Sequence, residues 1–281
     1  MDYRREIDGL RAVAILPVVF FHAGVGLFPG GYVGVDVFFV ISGYLITSII
    51  LSDLQAGTFS LARFYERRIR RILPALFLVL ATSTCLAILW LLPSDLVLFF
   101  KSVSYTALFA SNYRFYRVQD YFAPEADLQP LVHTWSLGIE EQYYLVFPLV
   151  ILLLYRFRNS FIVPAIFVVG AVSFVLAQRM LGSDSSAAFF LTPYRVWELM
   201  IGSLVAAAVH RGHVAVRPNE ALAAIGLALI FAAAFLFSDA TPFPGAYALI
   251  PTLGAALVIL FATPQTWVGR GLGSRPLVAI G

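Results

Sequence analysis

One cysteine, Cys85, is all that the 281 residues contain. It sits in an apolar run, which excludes an internal disulfide and any cysteine-based metal site, and no metal is expected. Charge is scarce as well: Asp, Glu, Lys and Arg make up 12% of the chain, against roughly 25% in soluble domains. No internal repeat and no low-complexity tract is visible. No Lys/Arg block is interleaved with aromatics in a polar stretch, so nucleic acid is not an expected partner. Residues 1–28 carry positive charge ahead of an apolar run, as a signal peptide does. No small-x-small cleavage site follows, and another apolar run begins at once, so the segment is read as retained.

What fills the sequence is hydrocarbon. Apolar residues make up 60% of it and Phe alone occurs 25 times, which makes membrane lipid the surrounding solvent. A helix needs about 20 apolar residues to cross the bilayer core. Eight segments approach this: 12–28, 33–51, 72–92, 137–154, 161–177, 195–209, 221–237 and 247–262. A ninth, 96–112, carries Lys101, Ser102, Ser104, Ser111 and Asn112 and is read as re-entrant or interfacial, since polar backbone is tolerated at membrane depth where it lines a cavity. The expected fold is all-α: a polytopic transmembrane bundle of about eight spans plus that segment, forming one domain over residues 1–281.

Orientation follows Lys and Arg, which collect in cytoplasmic loops. Arg4, Arg5 and Arg11 precede the first span, and Arg63, Arg67, Arg68, Arg70 and Arg71 fall within 52–71, whereas the loop from Pro29 to Tyr32 has none. The N-terminus and the 52–71 loop are expected on the cytoplasmic side.

Ionisable groups inside spans are costly, so each calls for a role and a partner. Arg11 and His22 are eleven residues apart, three helical turns plus about 20°, and so share one face roughly 16 Å apart. Pro17 between them frees the carbonyl of Val13 and loosens the helix. His22 either hydrogen-bonds a neighbouring helix or does chemistry. Asp36, early in the second span, falls near the depth of His22, where it either orients the imidazole or meets water at the interface. Ser42-Gly43-Tyr44 offers hydroxyls where helices approach closely.

The densest cluster of functional groups runs from His133 to Tyr144, through Ser136, Glu140 and Glu141, at the entrance of a span. Carboxylates beside a histidine there suit proton transfer or the binding of a hydroxylated ligand, and Ser136 also reads as a helix cap. Arg195 and Glu198, at i and i+3, pair with each other or face a ligand. Arg67, Arg68, Arg70 and Arg71 are four arginines in five positions. They anchor anionic head groups or bind phosphates bidentately, as a nucleotide-bearing acyl donor requires.

Taken together these residues resemble the membrane acyltransferase-3 family, multi-pass O-acyltransferases of bacterial envelope sugars. The matching elements are Arg11 and His22 with ten residues between them, Phe38-Phe39-Val40-Ile41-Ser42-Gly43-Tyr44, Arg67-Arg68-Ile69-Arg70-Arg71-Ile72-Leu73-Pro74, and His133-Thr134-Trp135-Ser136-Leu137 with Glu140-Glu141-Gln142. The resemblance implies that Arg11 and His22 are essential, that Glu140 belongs to the active site, and that the arginine segment lies on the cytoplasmic donor side. The implied activity is transfer of an acyl group, acetyl by family precedent, from acyl-coenzyme A to an envelope glycan such as lipopolysaccharide O-antigen, peptidoglycan or exopolysaccharide. Asp36, Ser42, Tyr44, His133, Ser136, Arg195 and Glu198 are then supporting or acceptor-side groups. No bound cofactor is expected, and the place is the bacterial inner (cytoplasmic) membrane. Similar members often continue into further spans and a periplasmic SGNH-type transferase domain, so the chain is read as shortened after Val278-Ala279-Ile280-Gly281. A polytopic transporter and a non-catalytic acyl relay to a periplasmic transferase are the competing readings; a carrier often shows an internal repeat.

Overall fold

The computed structural model describes residues 3–118 and 129–281, and the described residues are helical with no strand. Helix α1 is Arg5–His22, α2 Gly34–Gln55, α3 Leu61–Trp90, α4 Pro93–Ala107, α5 Ser111–Tyr116, α6 Trp135–Arg158 and α7 Ile162–Leu181. They are followed by α8 Ser185–Phe190, α9 Thr192–His210, α10 Glu220–Leu236, α11 Leu249–Phe261, α12 Trp267–Leu272 and α13 Arg275–Ile280. Three helical stretches, Gly31–Gln55, Leu61–Trp90 and Val132–Leu181, are long and apolar enough to cross a membrane, and Glu220–Leu236 and Ala246–Phe261 are shorter apolar helices.

Local chemistry sets the helix starts. The Ser60 side chain accepts from the Arg63 amide at the head of α3, Asp184 from Ala187 at α8, Asn219 from Leu222 at α10 and Thr266 from Gly269 at α12. Pro93 and Pro193 sit in the first turns of α4 and α9, where their missing N–H costs nothing.

Two corrections to the expected layout follow. The first apolar run, 12–28, is not one helix: α1 stops at His22, and a turn with Gly24 in the left-handed region follows. His22 therefore occupies the end of its helix, not a position within it. The arginine segment is not a loop either. It is the first third of α3, because Ser60 caps the helix at residue 61 and nothing before Pro74 interrupts it. The polar stretch 96–112 is a broken helix: α4 ends at Ala107, Phe109 takes φ 53°, and α5 starts at Ser111.

The centre of the bundle is the crossing of α2 with α9. A methyl on Gly43 would meet the carbonyl of Leu199, and one on Gly202 would meet the carbonyl of Val40, so the two backbones touch through reciprocal glycines. Small residues are what permit such contact between helices in lipid, where apolar attraction between helices is weak. Helix α1 lies on α2, and α12 and α13 pack along α1. Leu78, Leu89 and Trp90 of α3, and Leu145, Leu153 and Phe167 of α6 and α7, stay exposed on the outside. That belt suits lipid and would be a liability in water.

Candidate active site

Two adjoining chambers lie between α1, α2, α3 and α6. The first, about 290 Å³, is lined by His22 together with Phe38, His133, Trp135, Ser136 and Glu140, among others. The second, about 180 Å³, is lined by Arg11, Ser42, Arg68, Arg71, Glu140 and Tyr144, along with apolar neighbours. Phe38, Leu137 and Glu140 belong to both walls. Among the described residues, Glu140 is thus the one ionisable side chain common to the two.

Helical spacing explains this arrangement. Arg11 and His22 share a face of α1 roughly 16 Å apart, and each opens into a different chamber. On α6, Ser136, Glu140 and Tyr144 follow at four-residue steps, a stripe running from the first chamber into the second. Nδ1 of His22 lies 2.8 Å from the carbonyl oxygen of Val18. A carbonyl can only accept, so Nδ1 carries the hydrogen and Nε2 is the basic nitrogen of the neutral ring. His133, on the short turn before α6, lines the same chamber and is close enough for the two imidazoles to feel each other's charge. The Ser42 hydroxyl is hydrogen-bonded to the Tyr144 hydroxyl across the arginine chamber. The guanidinium of Arg68 lies 5.7 Å from the Tyr144 ring centre and 5.9 Å from that of Phe64.

The four arginines divide. Arg68 and Arg71 turn into the chamber. Arg67 instead pairs with Asp53 at 3.3 Å, and Arg70 with Glu66 at 2.8 Å on an exposed face. The expectation that all four serve one site assumed a loop. On a continuous helix the mean direction of 67 and 70 lies about 100° from that of 68 and 71.

Four other expected residues stand outside both chambers. Asp36 does not meet water at the interface; it is fully buried, and Arg195 Nη2 donates to its Oδ1 at 3.0 Å. Arg195 also pairs with Glu198, so the three form one buried cluster. Tyr44 faces the start of α1, where its hydroxyl receives a hydrogen bond from Arg4 at 3.3 Å. Phe38 and Leu137 lie inside the motifs that carry the family resemblance, but neither was singled out as a wall common to two chambers. The sequence reading also missed a network in which Gln142 donates to Asn112 and to the carbonyl of Phe109, both at 2.9 Å, tying the helix break to α6. A third cavity, about 710 Å³ and mostly apolar, opens between α6, α7 and α9 along Val146, Val150, Val169 and Met200. It is larger than either chamber but contains none of the residues expected at the site.

Fold and site together define a helical membrane protein with a two-chambered interior that holds ionisable side chains. Residues 4–280 match the acyltransferase domain family, and the chain belongs to that family. It is 32% identical over 295 residues to O-acetyltransferase OatA of Staphylococcus aureus strain NCTC 8325, a match covering 99% of this chain and 48% of that protein. The chain thus spans about half the length of that relative. An uncharacterized protein of Haemophilus influenzae is 36% identical over 237 residues, 80% of this chain and 96% of its own length. No solved structure matches.

Proposed function

We propose that the protein moves an acyl group, acetyl in the first instance, from acyl-coenzyme A to a hydroxyl of an envelope glycan, across the bacterial inner membrane. The observation that carries this reading is the meeting of the two chambers at Glu140, with His22 in one and Arg11, Arg68 and Arg71 in the other. With the N-terminus cytoplasmic, as the arginine distribution supports, the arginine chamber faces the donor. Its guanidinium groups suit the phosphates of coenzyme A. The chamber is far too small for the nucleotide, so the nucleotide rests at the mouth and the pantetheine arm enters past Arg11.

In the reaction the acceptor oxygen bonds to the thioester carbonyl carbon and the carbon–sulfur bond breaks. Nε2 of His22 takes the hydroxyl proton as general base. The proton ends on the departing thiolate, and Glu140, on the wall common to both chambers, is the group placed to pass it. His133 and Ser136 border the acceptor side. Ser42 and Tyr144 hold the donor side through their mutual hydrogen bond. An SGNH-type transferase, as part of a longer polypeptide or as a separate partner, is a further candidate acceptor of the acyl group.

The test is His22→Ala in membranes supplied with labelled acetyl-coenzyme A and an envelope glycan fraction. Label transfer should fall by about a hundredfold or more while insertion and yield match the native chain. Undiminished transfer would sink the mechanism.

A further inference from the structure

Arg195 is the most enclosed cation in the site region, and it does not touch either chamber directly. It, Asp36 and Glu198 all have zero exposure. Its Nη2 donates to Asp36 Oδ1 at 3.0 Å and to Glu198 Oε2 at 3.1 Å, and its Nε lies 2.9 Å from Glu198 Oε1. Asp36 stands in the first turn of α2, and Arg195 and Glu198 stand in the first two turns of α9, so the cluster pins the α2–α9 crossing at one end. Four rings surround the guanidinium carbon: Phe189 at 5.2 Å, Trp135 at 5.3 Å, and Phe39 and Phe243 at 5.6 Å. Two of these rings, Phe39 and Trp135, also line the chamber of His22.

Such a cluster is poorly explained as a source of stability. Taking three charged groups out of water costs about as much as their attraction returns, and well-packed apolar replacements often do as well or better. What the cluster supplies is geometry. A planar guanidinium held by two carboxyl groups has one orientation, and rings attracted to it take theirs from it. We infer that Arg195 is a positioning residue for the His22 chamber, acting through Trp135 and Phe39 from behind the wall. The charge count sharpens the inference. Two carboxyl groups face one guanidinium, so a neutral cluster carries one proton on the pair. One carboxyl can then become an amide without stranding a charge in the membrane, and both cannot while Arg195 remains.

The test uses Glu198→Gln, Arg195→Lys and a charge-free set, D36N/R195M/E198Q. Each is followed by thermal melting in detergent, by the rate at which diethyl pyrocarbonate modifies His22 (resolved by peptide mass spectrometry), and by kcat and KM for acetyl-coenzyme A. E198Q, which leaves Arg195 one acceptor oxygen where Glu198 presented two, should keep the native melting temperature and lose less kcat than the charge-free set. The charge-free set should keep the native melting temperature to within a few degrees. Its His22 modification rate should change severalfold, and its kcat should fall by about ten- to a hundredfold with KM little altered, the loss expected from a small misplacement of reacting groups. R195K, which keeps the charge but not the plane, should fall between. Combining R195K with Trp135→Phe should cost less than the sum of the two single effects. Native labelling and native kcat in the charge-free set would overturn the inference. If that set does not fold, a folded R195K with native labelling overturns it instead. The labelling readout does not depend on the proposed reaction: absence of acyl turnover in the native chain would refute that reaction and leave the positioning test standing.

Discussion

Gly202→Ala is the sharpest probe of the architecture, because it adds one methyl group where two backbones touch. A Cβ on Gly202 would press on the carbonyl of Val40 and crowd the amide of Tyr44. Both obstacles are main chain inside α2, so no side-chain rotation can relieve them, and α9 must move off α2 or bend. Overpacking of this kind costs about 1–3 kcal/mol. At about 2–4 °C per kcal/mol for a chain of this order of size, the melting temperature should drop by about 2–12 °C. The strain falls on the turn from Val40 to Tyr44, which contains Ser42, so acyl transfer should decline further than the melting shift alone explains. Gly271→Ala is the control: its added Cβ meets nothing within 4 Å, and Ala favours the helix. The measurement is fluorescence-monitored melting of detergent-purified protein, with transfer from labelled acetyl-coenzyme A assayed alongside. If G202A melts with G271A and the native chain, the close α2–α9 contact is wrong, and with it the placement of Ser42.

Two further outcomes follow from the chambers. Arg68→Gln with Arg71→Gln should raise KM for acyl-coenzyme A by about tenfold or more with a smaller effect on kcat, whereas R67Q/R70Q should leave KM within about twofold, since those arginines face Asp53 and Glu66. Equal effects from the two pairs would refute the division of the arginine helix. Phe38→Ala removes a ring from the common wall and should let propionyl- or butyryl-coenzyme A compete with the acetyl donor, read as a relative gain in kcat/KM. An unchanged chain-length preference would place the limit elsewhere.

Much of this was legible before any coordinates. Hydropathy marked six of the eight expected spans to within a few residues, because apolar runs are local, whereas Ser136 is not the cap it was read as: α6 starts at Trp135 and the Ser136 hydroxyl donates to the carbonyl of His133. The common face of Arg11 and His22 was legible for the same reason. Two kinds of feature were not. The end of α1 at His22 was hidden because residues 23–28 are apolar enough to extend a span, while the chain turns at Gly24. The pairing of Asp36 with Arg195 spans 159 residues and depends on how α9 meets α2, which no periodicity encodes. Reading Asp36 by depth alone offered it His22 or water, whereas its partner is Arg195. The division of the four arginines was lost to a single misjudgement, that the segment before Pro74 is a loop.

The packing of α12 and α13 along α1 bears on the order in which the site is assembled. Gly9 of α1 lies against the carbonyl of Leu272, and the backbone of Asp8 lies against Gly281. Helix α1 leaves the ribosome long before α12 and α13, yet part of the surface it rests on comes from residues 267–281. During synthesis it must therefore wait in the membrane with its Asp8, Gly9 and Ala12 face uncovered. A ribosome-stalled chain ending near residue 260 should leave α1 open to proteases or cysteine-directed labels that a chain containing α12 and α13 resists.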